Sequence, residues 1–244
     1  MLLRPFLPAA LALMACLSAA PLRAAPSLEA LQEALNSTSR TGLEVVLEAG
    51  PGLDPDEVRR RRLLLREQFP DAHWSVRPGP RLKDGRSTTY ISVEGSTRGG
   101  VQPFHFQAEQ QLVLGASGDR FNSQELLRES TVLRSGEHAL PVSLLIPDAV
   151  LTGERYDLDV VFDQPLDGAV VAGALQPVTP AELLRLESPD LQLEALGGGG
   201  LFKSVQAPYQ PGWQAWSVLL VHPDGIVVAS KQVRVVATPA ELSF

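Results

Sequence analysis

Cysteine is almost missing from this chain: Cys16 is the only one in 244 residues, and it falls inside an apolar N-terminal leader. Removing that leader by simple cleavage leaves no disulfide, no thiol nucleophile and no cysteine metal site. Histidine is scarce as well. His73, His105, His138 and His222 fall in separate segments, with none of the spacings that hold a metal ion. Neither Gly-x-Ser-x-Gly nor His-Glu-x-x-His occurs, so the familiar serine-hydrolase and zinc-protease signatures are excluded. The four glycines at 197–200 are followed by Leu201-Phe202-Lys203 rather than Gly-Lys-Ser/Thr, which removes the phosphate-loop reading, and no cofactor is expected. A basic surplus is lacking too. Lys and Arg number 21 against 28 Asp and Glu, for a formal charge of -7, which argues against nucleic acid as a partner.

What is present begins with the leader. Arg4 precedes an apolar run from Phe6 to Ala20, and Leu22-Arg23-Ala24 offers small-residue cleavage before Ala25. That arrangement is a secretory signal peptide over residues 1–24. Its apolar run is short for a bilayer span, and no later stretch is long enough for one. Leu13-Met14-Ala15-Cys16 also resembles a bacterial lipobox, in which Cys16 becomes a lipidated first residue. Met14 and the apolar run beyond Cys16 depart from that pattern, so a free Ala25 and an anchored Cys16 both stand. Either way the chain is expected to be exported, to the periplasm or another extracytoplasmic compartment.

Residues 25–133 predict an α+β domain of helices on a meander sheet. Ser27 caps a first helix whose stripe is Leu28, Leu31 and Leu35. Leu43, Val45 and Leu47 alternate as a strand would. Asp54, Pro55 and Glu57 then open a second helix that stops before Pro70. Inside it, Arg59 to Arg62 sweep most of the circumference. Val58, Leu64, Leu65 and Phe69 mark the core side, so one of Arg61 and Arg62, which flank or interrupt it, must snorkel or pair with a carboxylate. They are candidates for contact with an anionic ligand or an acidic partner, against the plainer reading of a solvated helix face.

Three strands follow, at 74–77, 87–94 and 101–114. In the third, Phe104, Phe106, Ala108, Leu112 and Leu114 share a face with Gln110, while His105, Gln107, Glu109 and Gln111 take the other. His105 and Glu109 are candidate ligand-lining residues. Four positions apart on one strand they are separated by about 13 Å, too far for a direct acid-base pair. Residues 122–132 read as a short amphipathic segment, and Arg134-Ser135-Gly136-Glu137 as a linker between domains. Helix, strand, helix and meander together resemble cystatin-like or NTF2-like cups, which implies a fold and no reaction.

Residues 138–238 predict an all-β sandwich. Leu140, Val142, Leu144 and Ile146 alternate, as do Tyr156, Leu158, Val160 and Phe162. Asp157, Asp159 and Asp163 are candidate calcium ligands by oxygen density, but the helical calcium-loop spacing is missing and edge protection by charge explains them more simply. The closing run from Tyr209 to Val236 folds back at His222-Pro223-Asp224-Gly225, with Trp213, Ala215, Ser217, Leu219 and Val221 on one face of its first strand. This hairpin, entered by Pro211-Gly212-Trp213, is similar to the last strand pair of bacterial immunoglobulin-like domains. The string GGGGLFKSVQAPYQPGWQAW, with the leader, resembles secreted proteins of unknown function in cyanobacteria that end in an immunoglobulin-like β-sandwich. The expectation is a non-catalytic binding or interaction module that meets an envelope or membrane-associated protein. The competing expectation is a small-ligand binder or hydrolase using the N-terminal cup, with Arg61, His105 and Glu109.

Overall fold

The computed structural model describes residues 25–39, 42–97, 103–135, 140–164, 169, 171–179, 182, 192–196 and 199–242. The leader with Cys16 lies outside them. Three helices open the chain: α1 (Leu28–Asn36), α2 (Gly42–Val46) and α3 (Pro55–Gln68). The strands β1 (His73–Arg81), β2 (Ser87–Ser96), β3 (Phe104–Ser117) and β4 (Arg120–Ser135) form a meander. Eight more follow: β5 (Val142–Leu145), β6 (Ala149–Leu151), β7 (Arg155–Phe162), β8 (Val171–Val178), β9 (Glu194–Leu196), β10 (Gly200–Gln206), β11 (Gly212–His222) and β12 (Gly225–Val236).

The protein is mostly β, and one large antiparallel sheet dominates it. Its order is β1-β2-β3-β4-β12-β11-β8-β9, with β6 parallel to the end of β12; a smaller sheet has the order β10-β7-β5. Meander and closing hairpin therefore share a sheet, joined where β4 pairs with β12 from Val227↔Arg134 to Gln232↔Glu129. Arg134 and Ser135, expected in a linker, are the last residues of β4. Ser135 also accepts the Ile226 N–H at 3.1 Å through its hydroxyl. Their polar side chains read as a linker, but their backbone belongs to the ladder.

The two halves of the sheet are covered on opposite faces. Registers Trp74↔Val93 and Val93↔Ala108 align one face with the helices, where Leu31, Leu35, Leu43, Phe69 and Trp74 make a core. Phe69 stacks on Phe106 at 4.8 Å. In the other half, Trp216, Val218 and Leu220 point from the opposite face into the smaller sheet, against Leu158 and Val160. Between those sheets, the Tyr156 hydroxyl accepts the Trp216 indole N–H at 2.9 Å and donates to Gln214 Oε1 at 2.8 Å. Both polar groups are thereby satisfied inside the core.

Two local expectations are corrected. Residues 42–46 form a helix: Leu43, Val46 and Leu47 are buried at helical spacing, and Val45 is 72% exposed. The alternation of Leu43, Val45 and Leu47 imitated a strand. Residues 122–132 belong to a 16-residue strand, β4, whose register shifts opposite Gln111 and Leu112. That bulge leaves Leu127 between paired Leu126 and Arg128, so two leucines in a row hide the period of two.

Candidate functional site

The arginine run sorts into separate tasks once α3 is in place. Asp54 caps the helix by accepting the Asp56 N–H at 2.9 Å, and Glu57, rather than closing a capping box, pairs with Arg61 at 2.5 Å. Arg59 bridges Glu44 at 3.0 Å and Asp56 at 2.7 Å. Arg62 is only 3% exposed and meets main-chain oxygens, neither snorkelling nor pairing with a carboxylate: Ala34 at 2.8 Å, Ser37 at 3.2 Å and Ser39 at 3.0 Å. Arg66 donates to the Asn36 and Ser37 oxygens and lies over Trp74. These two guanidiniums satisfy orphan carbonyls at the C-terminus of α1, where positive charge is favoured. Burial, reinforced by Arg66 and Arg59, lowers the Arg62 pKa, but a guanidinium stays charged. Leu64, expected on the core side, is exposed, because the arginines take the inward positions.

The helix-covered face and the uncovered face of the C-terminal half meet in a cleft of about 530 Å³. Its floor is one transverse row of the sheet. Gln110 on β3 pairs with Glu129 on β4, Glu129 with Gln232 on β12, and Gln232 with Ala215 on β11. The three polar side chains are bonded to each other: Gln110 Nε2 donates to Glu129 Oε1 at 2.6 Å, and Gln232 Nε2 donates to Glu129 Oε2. One wall is α3, with Asp54, Glu57, Val58 and Arg61; Trp213, 40% exposed, stands at the rim. A second wall is the turn Gly50-Pro51-Gly52-Leu53, held against β4 by the Gln124 N–H on the Pro51 oxygen at 3.0 Å. Gly52 has φ +70°, and a Cβ there would come within 2.2 Å of the Gln124 oxygen, so this approach needs glycine. Burial raises the Glu129 pKa above the usual carboxylate range, opposed by the Gln110 hydrogen bond and the Arg61 charge.

Of the residues picked from sequence, only Arg61 lines this cleft. Arg62 is committed to α1. His105 and Glu109 lie on the opposite, solvent-facing side of β3, where Glu109 pairs with Arg77 at 3.0 Å. The constellation Arg61, His105 and Glu109 therefore does not converge, and the cup built on it is withdrawn. Asp157 and Asp159 sit on the outer side of β7 across from Ser204 and Phe202, and Asp163 is exposed after the strand ends. Among the described residues no three His, Cys, Asp or Glu side chains gather for a metal ion. A second depression, beside the β3–β4 turn, is lined by Glu44, Glu48, Asp119 and Arg120, with Glu48 paired to Arg120 at 3.2 Å.

Sequence reasoning missed Glu129, Gln232 and Trp213 as site residues. The one available signal was Gln110, the amide among apolar neighbours on its face of β3.

Fold and cleft together define a mostly β protein with a polar row crossing its main sheet under a helix. Residues 137–236 match a family described as a domain of unknown function (DUF8623). That span includes β11 and β12 but not α3, β3 or β4, so the cleft is assembled from both sides of the matched boundary. No curated protein matches the chain. Among the described residues no helix is long and apolar enough to cross a membrane.

Proposed function

We propose that this chain is an exported, non-catalytic binding protein whose ligand site is the cleft over Gln110, Glu129 and Gln232. The row itself carries the reading. A carboxylate held by two neutral amides on a sheet floor, under a concave space of about 530 Å³, is organised before any ligand arrives. The leader, with Arg4, its apolar run and Ala24, supports export. The cleft lining has no Ser, Cys, His, Lys or Tyr. Its other ionisable groups are engaged: Asp54 with the helix amide, and Glu57 with Arg61. Among the described residues no hydroxyl, thiol, amine or imidazole nucleophile lines the cleft, which supports binding over acyl-transfer hydrolysis. The smaller sheet packed across β12, β11 and β8 supports an immunoglobulin-like sandwich in the C-terminal region, and α1–α3 on the meander support an α+β arrangement before it.

Fragment screening by amide spectra of the mature chain tests the site. The expected hits move the Gln110 and Gln232 side-chain amides and the Trp213 indole N–H together. A screen in which no fragment moves them contradicts the reading.

A separate observation favours a protein partner for another surface. Leu145 and Phe202, 60% and 66% exposed, flank Asp159 on the outer side of the smaller sheet. An envelope-associated protein with an apolar patch fits there. Crosslinking to envelope fractions is expected to recover one reproducible partner with the wild type and lose it with Phe202→Ser; equal recovery from both removes this second surface.

A further inference from the structure

Ionisable groups reach the cleft mainly from the helix. Asp54, Glu57 and Arg61 come from the α3 end, and Glu129 from β4; β3, β12 and β11 contribute Gln110, Leu112, Gln232, Trp213 and Ala215, none of them charged. The lining thus holds three carboxylates and one guanidinium. Arg61 is bound to Glu57 at 2.5 Å, so it acts on the Glu129 carboxylate only through its charge, while the Gln110 and Gln232 side-chain amides hydrogen-bond to it. Arg234, across from Trp213 on β12, has its fork turned to the Glu241 oxygen at 2.6 Å and toward Glu125. Each amide takes one carboxylate oxygen, and each such oxygen can accept a further bond.

Space over the row is kept open by the smallest member of it. Ala215 stands beside Gln232 and ends in a methyl group, while Trp213, two residues along the same strand face, is about 7 Å away. A group resting over Glu129 and Gln232 therefore reaches the indole without crossing another side chain of β11.

We infer that the cleft takes a small organic cation, with an ammonium group against the Glu129 carboxylate and the Trp213 ring beside it. The inference rests on the cleft being a ligand site. Three considerations select this class. An anion meets an excess of carboxylates. A neutral polyol satisfies amides but leaves the excess of three carboxylates over one guanidinium unbalanced. An ammonium supplies charge-assisted donors to Glu129 and a cation for an aromatic face. Burial favours the protonated carboxyl, so cation binding is linked to proton loss from Glu129 and strengthens as pH rises through its raised pKa.

Isothermal titration of the mature chain with 1,4-diaminobutane, choline, 1,4-butanediol and succinate tests the class, with amide spectra recorded alongside to locate each probe. The two cations are expected to bind at the Gln110, Gln232 and Trp213 resonances, the diamine about ten-fold or more tighter than the diol. Repeating the titration in two buffers of different ionisation heat is expected to reveal proton release. Glu129→Gln is expected to weaken the diamine by about 10- to 100-fold. Trp213→Leu, at the exposed rim, serves where the first variant disturbs the amide spectrum, and is expected to weaken choline about three- to ten-fold. Diol or succinate binding at the cleft as tightly as the diamine overturns the cation class but keeps the site. Cation binding unchanged by both variants also overturns it. If no probe and no screened fragment moves the cleft resonances, site and class fall together.

Discussion

The helix-covered half of the main sheet and the strand-covered half bury opposite faces, although β4 and β12 join them without a break. In the first half the face bearing Trp74, Val93 and Phe106 lies under α1–α3, and the face bearing Glu109 is left to water. In the second half the face bearing Trp216, Val218 and Leu220 lies under β7, and the Gln232 face opens beside α3, with no second sheet over it among the described residues. A sheet that changes its covered face along its width must have a seam where the cover stops. Here the seam runs where β4 meets β12, and the row of Gln110, Glu129 and Gln232 crosses it, which is why the polar row and the cleft coincide. Helix α3 borders the polar row as one wall, and the resulting step is the concavity.

The strongest way to break this comparison is to weaken each half separately. Leu220→Ala in the strand-covered half and Leu43→Ala in the helix-covered half each remove a side chain at most 1% exposed, at a cost of about 2–5 kcal/mol. With the halves in one sheet, either variant is expected to lower a single urea transition in which far-UV circular dichroism and tryptophan fluorescence coincide. Two resolved transitions would mean that the β4–β12 ladder does not couple the halves.

Next in size is Arg62→Met. It removes the guanidinium donor from the α1 carbonyl of Ala34, while Ser37 keeps Arg66, and is expected to cost about 3 kcal/mol in chemical denaturation. Exposed Arg60→Met on the same helix is expected to stay within about 0.5 kcal/mol. Tyr156→Phe is the strand-covered counterpart: it strands the Trp216 indole N–H and the Gln214 oxygen, with an expected loss of about 1–3 kcal/mol by the same assay.

The smallest effect comes from the seam itself, and its signature is a pH slope. Glu129 has a folded-state pKa above its unfolded value, so the folded chain holds the proton more tightly. Its contribution therefore disfavours folding as pH rises through the raised folded pKa, and vanishes below the unfolded pKa. Glu129→Gln is expected to remove that slope above the ordinary glutamate value. At neutral pH it is expected to be no less stable than the wild type, within about 1 kcal/mol. A variant losing stability at neutral pH while the wild-type slope persists contradicts the assignment of that slope to Glu129.

Much of the fold could be read from the chain because its elements advertise themselves locally. Ser27 and Asp54 are capping residues in the right places, the Asp224-Gly225 turn closes β11 on β12, and alternation from Tyr156 to Phe162 marks β7. What escaped was non-local. Nothing near Arg134 announces that its partner is Val227, and polar composition there imitated a linker. The site was hidden for the same reason. Gln110, Glu129 and Gln232 are widely separated in sequence and become neighbours only through two strand pairings. Arg62 was visible as an awkward residue on a helix, but its acceptors are backbone oxygens of another helix, which no side-chain pattern encodes.

The most direct test of the seam is the titration of the Glu129 side-chain carboxyl by carbon-detected nuclear magnetic resonance on the uniformly labelled mature chain. A carboxylate desolvated on the floor of a cleft titrates above the ordinary glutamate value of about 4.3. A midpoint at or below that value would mean that Glu129 is fully hydrated, and that helix α3 and Trp213 do not enclose a binding space over it.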